Sequence, residues 1–338
     1  MTAPVLIWGA GAVGGVLGAS LARGGHAVHM VDLEAAHVEA MRTEGLRIEG
    51  PVAELHAVLP ASTPAEVRGT FRQVFLCVKA HHTDGALAML RPHLAPDGYV
   101  VSVQNGLNER AIAAAVGAER TMGCFVNYGA DWLGPGRILW GNRAAVAVGE
   151  LDGAITPRAR EVHAMLRLVE PEAVLTDDIW GYLWGKMGYG ALLFATALTP
   201  LSMSDAMARP DHRAAYEALG REVMALAAAE GVRPVGFNGF DPAAFAAGDG
   251  PGMAASLAAM VAHNRRTAKT HSGIWRDLAV RRRKTEVDAQ MGVMLGLARG
   301  HGLPMPVLAA MIERIHAVED GRRTQSPALV GELAALCA

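Results

Sequence analysis

Val5-Leu6-Ile7-Trp8-Gly9-Ala10-Gly11-Ala12-Val13-Gly14 is an apolar run, a glycine-rich turn and the start of a helix-forming stretch. A strand, GxGxxG and a helix in that order form the turn on which a dinucleotide binds. Gly9 is expected to allow the tight turn, Gly11 to let the backbone approach the pyrophosphate, and Gly14 to permit close packing of helix on strand. Ala10, Ala12 and Val13 complete the turn, and the free N–H groups of the helix N-terminus face the anion. The second strand ends at Asp32, about 20 residues after the glycines, where a carboxylate accepts hydrogen bonds from ribose hydroxyls. A 2′-phosphate there would meet a like charge, so NAD is the expected cofactor. Arg42 and Arg47 follow closely and keep NADP as the alternative.

Outward from that turn, short β-branched runs alternate with helical stretches, the pattern of a mostly parallel sheet covered on both faces. Strands are expected at 5–8, 27–31, 74–78, 99–103, 121–127, 136–140 and 144–149. Helices are expected between them at 13–23, 34–44, 83–90 and 108–116, with a further one at 157–168 capped by Thr156. Past residue 177 apolar residues recur at three- and four-residue spacing, which reads as helix. The spacing predicts helices at 178–198, 204–230, 242–245, 252–269, 285–301 and 304–319. The expected fold is therefore α/β, with a doubly wound dinucleotide-binding domain at 1–177 and an all-helical substrate and dimerisation domain at 178–338.

Composition narrows the function classes. The 338 residues carry 31 Lys and Arg against 33 Asp and Glu, a formal charge of −2. That balance gives no basic footprint for nucleic acid. No apolar run reaches the roughly 20 residues of a membrane span, and a cytoplasmic location without membrane or nucleic-acid partners is expected. The three cysteines, Cys77, Cys124 and Cys337, form neither a CxxC pair nor a disulfide framework. His81 and His82 are adjacent, poor geometry for chelation, and no HxxxH spacing occurs, so no metal is expected.

Polar groups also follow later strands, at the carboxyl ends where open α/β sheets bind ligands. Lys79 follows the third strand, and Gln104-Asn105-Gly106 the fourth. In the second half, Trp184-Gly185-Lys186-Met187 puts a lysine on an otherwise apolar helix, where it must snorkel, pair or work. Lys284-Thr285-Glu286-Val287-Asp288 is read as opening another helix with two carboxylates in its first turn. Such carboxylates also suit the helix dipole without any further role.

Taken together, GAGAVGG (9–15), CVKA (77–80), QNG (104–106), WGKM (184–187), SGIWRD (272–277) and KTEVD (284–288) resemble the ketopantoate reductase family, or 2-dehydropantoate 2-reductases, over nearly the whole chain. The resemblance implies a Rossmann domain followed by a helical domain. A homodimer is expected separately, the long apolar helices at 204–230 and 252–269 packing either within the domain or across a dimer. It implies Lys186 as general acid, Glu286 as a carboxylate near substrate and nicotinamide ribose, and Lys79 and Asn105 around the nicotinamide, with Asn105 also near the substrate. Ala130 falls near a further cofactor contact. Departures are as informative as matches. The family lysine is followed at the fourth and eighth positions by substrate-holding Asn residues, which here are Gly190 and Phe194. A shifted register would put Thr199 in the second place. Thr270 stands where the usual Asn precedes the family serine, which is Ser272 or has slipped to Gly273. NADP enzymes of the family generally carry an Arg near the end of the second strand, where this chain has Asp32 and Leu33.

Reducing a ketone needs a hydride at carbon and a proton at oxygen. The ammonium of Lys186 is expected to supply both the proton and a positive charge opposite the developing alkoxide, and burial would lower its ordinary pKa of about 10.4 and ease proton exchange. The expected activity is interconversion of a 2-oxo or other keto acid and its hydroxy acid, the small-molecule partner being a branched or polyhydroxylated carboxylate and not ketopantoate. A genuine 2-dehydropantoate 2-reductase is the alternative enzyme, and a non-catalytic dinucleotide redox sensor the alternative of another class.

Overall fold

The computed structural model describes residues 4–267 and 269–337. The chain folds as two compact units, Met1–Ile179 and Trp180–Ala338. The first contains, in order, β1 (Val5–Trp8), α1 (Ala12–Arg23), β2 (Val28–Val31), α2 (Ala35–Thr43), β3 (Leu46–Glu49), β4 (Leu55–Ala57), β5 (Ala61–Ser62), β6 (Phe71–Leu76), α3 (Thr83–Leu90), β7 (Leu94–Ser102), α4 (Glu109–Val116), β8 (Thr121–Val126), β9 (Gly129–Gly134), β10 (Arg137–Asn142), β11 (Val146–Glu150), α5 (Pro157–Leu166) and β12 (Val174–Leu175).

Eight strands form one sheet in the order β12-β11-β8-β7-β6-β1-β2-β5. Every neighbouring pair is parallel except β8 with β11. Alternate residues of each central strand enter opposite cores. Val5, Ile7, Phe75 and Val101 join one apolar cluster, and Leu6, Trp8, Val74, Leu76 and Val100 the other. Burial of each such side chain contributes about 1.5–3 kcal/mol, which is why these strands read as continuous apolar runs. The strand order reverses across β1 and β6, and ligands of such sheets bind outside the carboxyl ends at that point.

Several boundaries differ from expectation. The strand expected at 74–78 ends at Leu76: Cys77 still donates to the Trp8 carbonyl at 2.8 Å, and then Lys79 leads into a short 3-10 turn at Ala80–His82. The next strand starts earlier, at Leu94, because Pro96, Asp97 and Gly98 lie within β7 although they read as a turn. A second sheet, β4-β3-β10-β9, was not expected, although its strand β10 matches the one expected at 136–140. It packs on α1, where a Cβ at Gly15 would stand 2.1 Å from Ile138 Cδ1. Gly15 makes room for that sheet.

The second unit is helical: α6 (Ile179–Thr196), α7 (Met203–Met207), α8 (Arg213–Ala229), α9 (Pro242–Ala247), α10 (Gly250–Arg265), α11 (Gly273–Ala279), α12 (Val293–Gly300), α13 (Pro306–Glu319) and α14 (Pro327–Ala335). The helix expected at 204–230 is broken by a 3-10 turn, Pro210–His212, since proline has no N–H for the preceding turn. The helix expected from 285 instead begins with a π-helical turn at Asp288–Gly292, so Glu286 lies ahead of it. Helices α11 and α14 are additional.

Candidate functional site

Each glycine of the turn has a distinct steric reason. Gly9 adopts φ +98°, and a Cβ on it would lie 2.7 Å from Val78 N. A Cβ on Gly14 would lie 2.0 Å from the Gly9 carbonyl oxygen. Neither position admits alanine without movement of backbone. Gly11 is different, because nothing lies within 4 Å of its would-be Cβ. It is the N-cap of α1, and no side chain caps that helix. Ala12 and Val13 form the first helical turn, whose N–H groups have no intrahelical acceptor. Open space over bare donors at a helix N-terminus fits a pyrophosphate. The turn is tied to the sheet by Gly9 N–H and Ala10 N–H, which donate to the Val31 carbonyl at 2.8 and 3.0 Å.

Asp32 follows directly after β2, and its Oδ1 accepts the Glu34 N–H at 3.0 Å. Among the described residues no hydrogen bond is made to Oδ2, which leaves an acceptor just past the end of β2. Arg42 is engaged elsewhere, donating to the Ala61 carbonyl at 2.6 Å and to Glu66 at 2.7 Å. Arg47 lies on β3, in the second sheet.

At the carboxyl ends of β6 and β7 a buried amide network joins the two segments. Gln104 Nε2 donates to the Val78 carbonyl and to Thr83 Oγ1, both at 2.9 Å. Thr83 Oγ1 lies 2.7 Å from the Ala80 carbonyl and 3.1 Å from Asn108 Oδ1, and Asn108 Nδ2 donates to the Asn105 carbonyl at 2.7 Å. Half-buried Lys79 and exposed Asn105 are thus held on tethered loops. Sequence reasoning marked Gln104 only as part of the QNG motif, with no role of its own, and passed over Thr83 and Asn108, though the polar run from Gln104 to Asn108 was the available signal. It also missed two residues beneath the glycine turn. Tyr128 donates to the Val13 carbonyl at 3.0 Å, burial holding its phenol protonated far above the ordinary range, and His37 meets the Ala10 carbonyl at 2.9 Å. Ala130 sits half-buried on β9.

In the second unit Lys186 is half-buried on α6, as are Tyr182, Gly190 and Leu193 on the same stripe, whereas Leu183, Trp184, Met187 and Tyr189 are buried. A Cβ on Gly190 would find only Met291 Cε, at 3.7 Å. That contact brings the Lys186 stripe alongside the π-helical turn that follows Glu286. Glu286 is half-buried, and its carbonyl accepts the Gln290 N–H at 2.9 Å. Phe194 is fully buried. Three hydroxyl residues organise backbone nearby. Thr199 Oγ1 accepts the Leu201 N–H at 3.0 Å, and its carbonyl takes the Trp275 indole N–H at 3.1 Å. Ser272 caps α11 by accepting the Trp275 N–H at 3.1 Å. Thr270 is exposed, its carbonyl accepting the Met203 N–H at 2.9 Å.

Residues 5–153 match the family described as Ketopantoate reductase PanE/ApbA, and residues 178–319 match Ketopantoate reductase PanE/ApbA C terminal. The chain belongs to the ketopantoate reductase family. It is 28% identical to the 2-dehydropantoate 2-reductase of Mesorhizobium japonicum, an alignment covering 94% of this chain and 98% of that protein. Its fold is similar to that of D-mandelate dehydrogenase solved with NADH and anilino(oxo)acetate, with TM-score 0.82 at 21% identity over 94% of this chain and 99% of that one. A ketopantoate reductase of the PanE/ApbA family from Ralstonia eutropha JMP134 superposes with TM-score 0.78 at 25% identity, again over 94% and 99%. The chain is an NAD(P)-dependent oxidoreductase of the ketopantoate reductase type. Among the described residues no helix is long and apolar enough to cross a membrane, and no group of three or more His, Cys, Asp or Glu is placed to hold a metal ion.

Proposed function

We propose that this ketopantoate reductase family member uses NAD to interconvert a 2-oxo acid and its 2-hydroxy acid, with Lys186 as general acid and base and a substrate other than ketopantoate. When bound, the nicotinamide supplies or accepts the hydride at the substrate carbon. The Lys186 ammonium gives its proton to the oxygen as charge develops there, and the neutral amine takes it back in the oxidative direction. Glu286 accepts from a substrate hydroxyl or holds the Lys186 rotamer. Lys79 and Asn105 orient the cofactor, and the turn from Gly9 to Gly14 binds its pyrophosphate. Thr199, Thr270 and Ser272 offer hydroxyls to a substrate carboxylate. NAD is preferred because Asp32 stands directly after β2 while Arg42 is engaged by Ala61 and Glu66.

The observation that carries the divergence of substrate is the α6 stripe. One turn beyond Lys186 stands Gly190, where among the described residues Met291 Cε alone comes within 4 Å of a would-be Cβ from beyond the helix's own backbone, and the next positions are apolar Leu193 and buried Phe194. Such a face offers no side-chain amide to a hydroxylated substrate and leaves room for an apolar one. Oxidation of NADH and of NADPH by the purified protein, with a series of 2-oxo acids that includes ketopantoate, tests the reading. NADH-linked turnover of another 2-oxo acid is expected. Efficient NADPH-linked reduction of ketopantoate would overturn it. The homodimer expected from the sequence belongs to the same proposal, and sedimentation checks it.

A further inference from the structure

We propose that His37 is a positioning residue of the dinucleotide site, holding the peptide between Ala10 and Gly11 in the orientation that receives the pyrophosphate. His37 stands on α2, five residues past Asp32, and is 1% exposed. A polar ring so buried carries a desolvation cost unless both nitrogens are bonded. They are. Gly136 N–H points at Nδ1 from 2.8 Å, and a backbone N–H only donates, so Nδ1 is bare. The proton is therefore on Nε2, which donates to the Ala10 carbonyl at 2.9 Å. The Trp132 ring meets His37 edge-on, with centroids 6.3 Å apart.

The Ala10 carbonyl precedes the N-cap Gly11, so it takes no part in the hydrogen-bond ladder of α1. A planar trans peptide directs the Ala10 carbonyl and the Gly11 N–H to opposite sides. Holding the carbonyl against His37 therefore aims the Gly11 N–H away from the core, at the residue whose Cβ side is open space. The Gly136 contact serves the imidazole more than the hairpin, because Gly136 is already fastened through its carbonyl to Arg47 N–H at 2.8 Å. One imidazole thus links the strand-end carboxylate segment to the glycine turn. This inference rests on the turn being the dinucleotide site.

Three variants separate its two bonds. His37→Gln keeps a donor near Nε2, His37→Asn keeps an acceptor near Nδ1, and His37→Leu keeps neither. NADH affinity is measured by fluorescence titration and thermal stability by melting. The Gln variant should bind NADH within about threefold of wild type, while the Asn and Leu variants weaken by about tenfold or more, with Gln and Asn melting alike. Equal affinity in the Gln and Asn variants, or weakening that simply follows melting temperature, overturns the proposal. Nitrogen NMR of wild-type His37 gives a reading that needs no variant: Nε2–H is expected, and an Nδ1–H tautomer contradicts it. Failure of wild type to bind either dinucleotide would instead remove the site itself, an outcome distinct from equality among the variants.

Discussion

One oxygen of Glu319 accepts both donors of Thr285, the backbone N–H at 2.7 Å and the hydroxyl at 2.6 Å. The Thr285 hydroxyl oxygen also accepts the Val287 N–H at 3.2 Å. Glu286 lies between these two anchored residues, so a carboxylate at the end of α13 fixes the backbone of a proposed substrate-positioning group. Glu319→Ala is expected to lower kcat/KM by about tenfold, the effect of losing bonds to one charged acceptor. NADH affinity should stay unchanged, because the contact lies within the helical unit. Steady-state kinetics beside an NADH titration check this, and an unaltered kcat/KM would disconnect Glu319 from the reaction.

Gly11 and Gly14 should respond oppositely to the same added methyl. At Gly14 the Cβ would meet the Gly9 carbonyl at 2.0 Å, whereas at Gly11 it would enter open space. Gly14→Ala is expected to lower the melting temperature, a steric clash in a packed turn costing on the order of 1–3 kcal/mol. Gly11→Ala should melt like wild type and yet bind NADH at least about tenfold more weakly, because the methyl takes the space assigned to pyrophosphate. Melting curves with and without NADH distinguish the two. Wild-type NADH affinity in Gly11→Ala would place the cofactor elsewhere.

Asp32→Arg should reverse the charge met by the adenosine ribose. The ratio of kcat/KM for NADPH over NADH is expected to rise by about tenfold or more, since a guanidinium pairs with a 2′-phosphate where a carboxylate repels it. Arg42 is not expected to assist, being bonded to Ala61 and Glu66. An unchanged ratio would mean the ribose does not reach β2.

Local chemistry in the sequence carried much of this structure, because a strand buried on both faces and a glycine turn announce themselves within ten residues. The expected helix at 83–90 and the Thr156 cap both appear, Thr156 Oγ1 accepting the Ala159 N–H at 3.1 Å. Short, half-exposed strands such as β3 and β4 gave too few apolar residues to stand out. β3 pairs with β10, about ninety residues further along the chain, a pairing that no local pattern encodes. The π-helical turn after Glu286 was hidden for a different reason, as its residues have ordinary helical periodicity. His37 was invisible for a third: a lone histidine on α2 says nothing until Gly136 is brought against it.

Turnover of Lys186→Ala on the most active 2-oxo acid, measured together with its NADH affinity and melting temperature, bears most directly on the chemistry proposed. Loss of the general acid should cut kcat by at least about a hundredfold while NADH binding and stability stay at wild-type values. A variant that turns over as fast as wild type would contradict it, and the proton would have to come from another group.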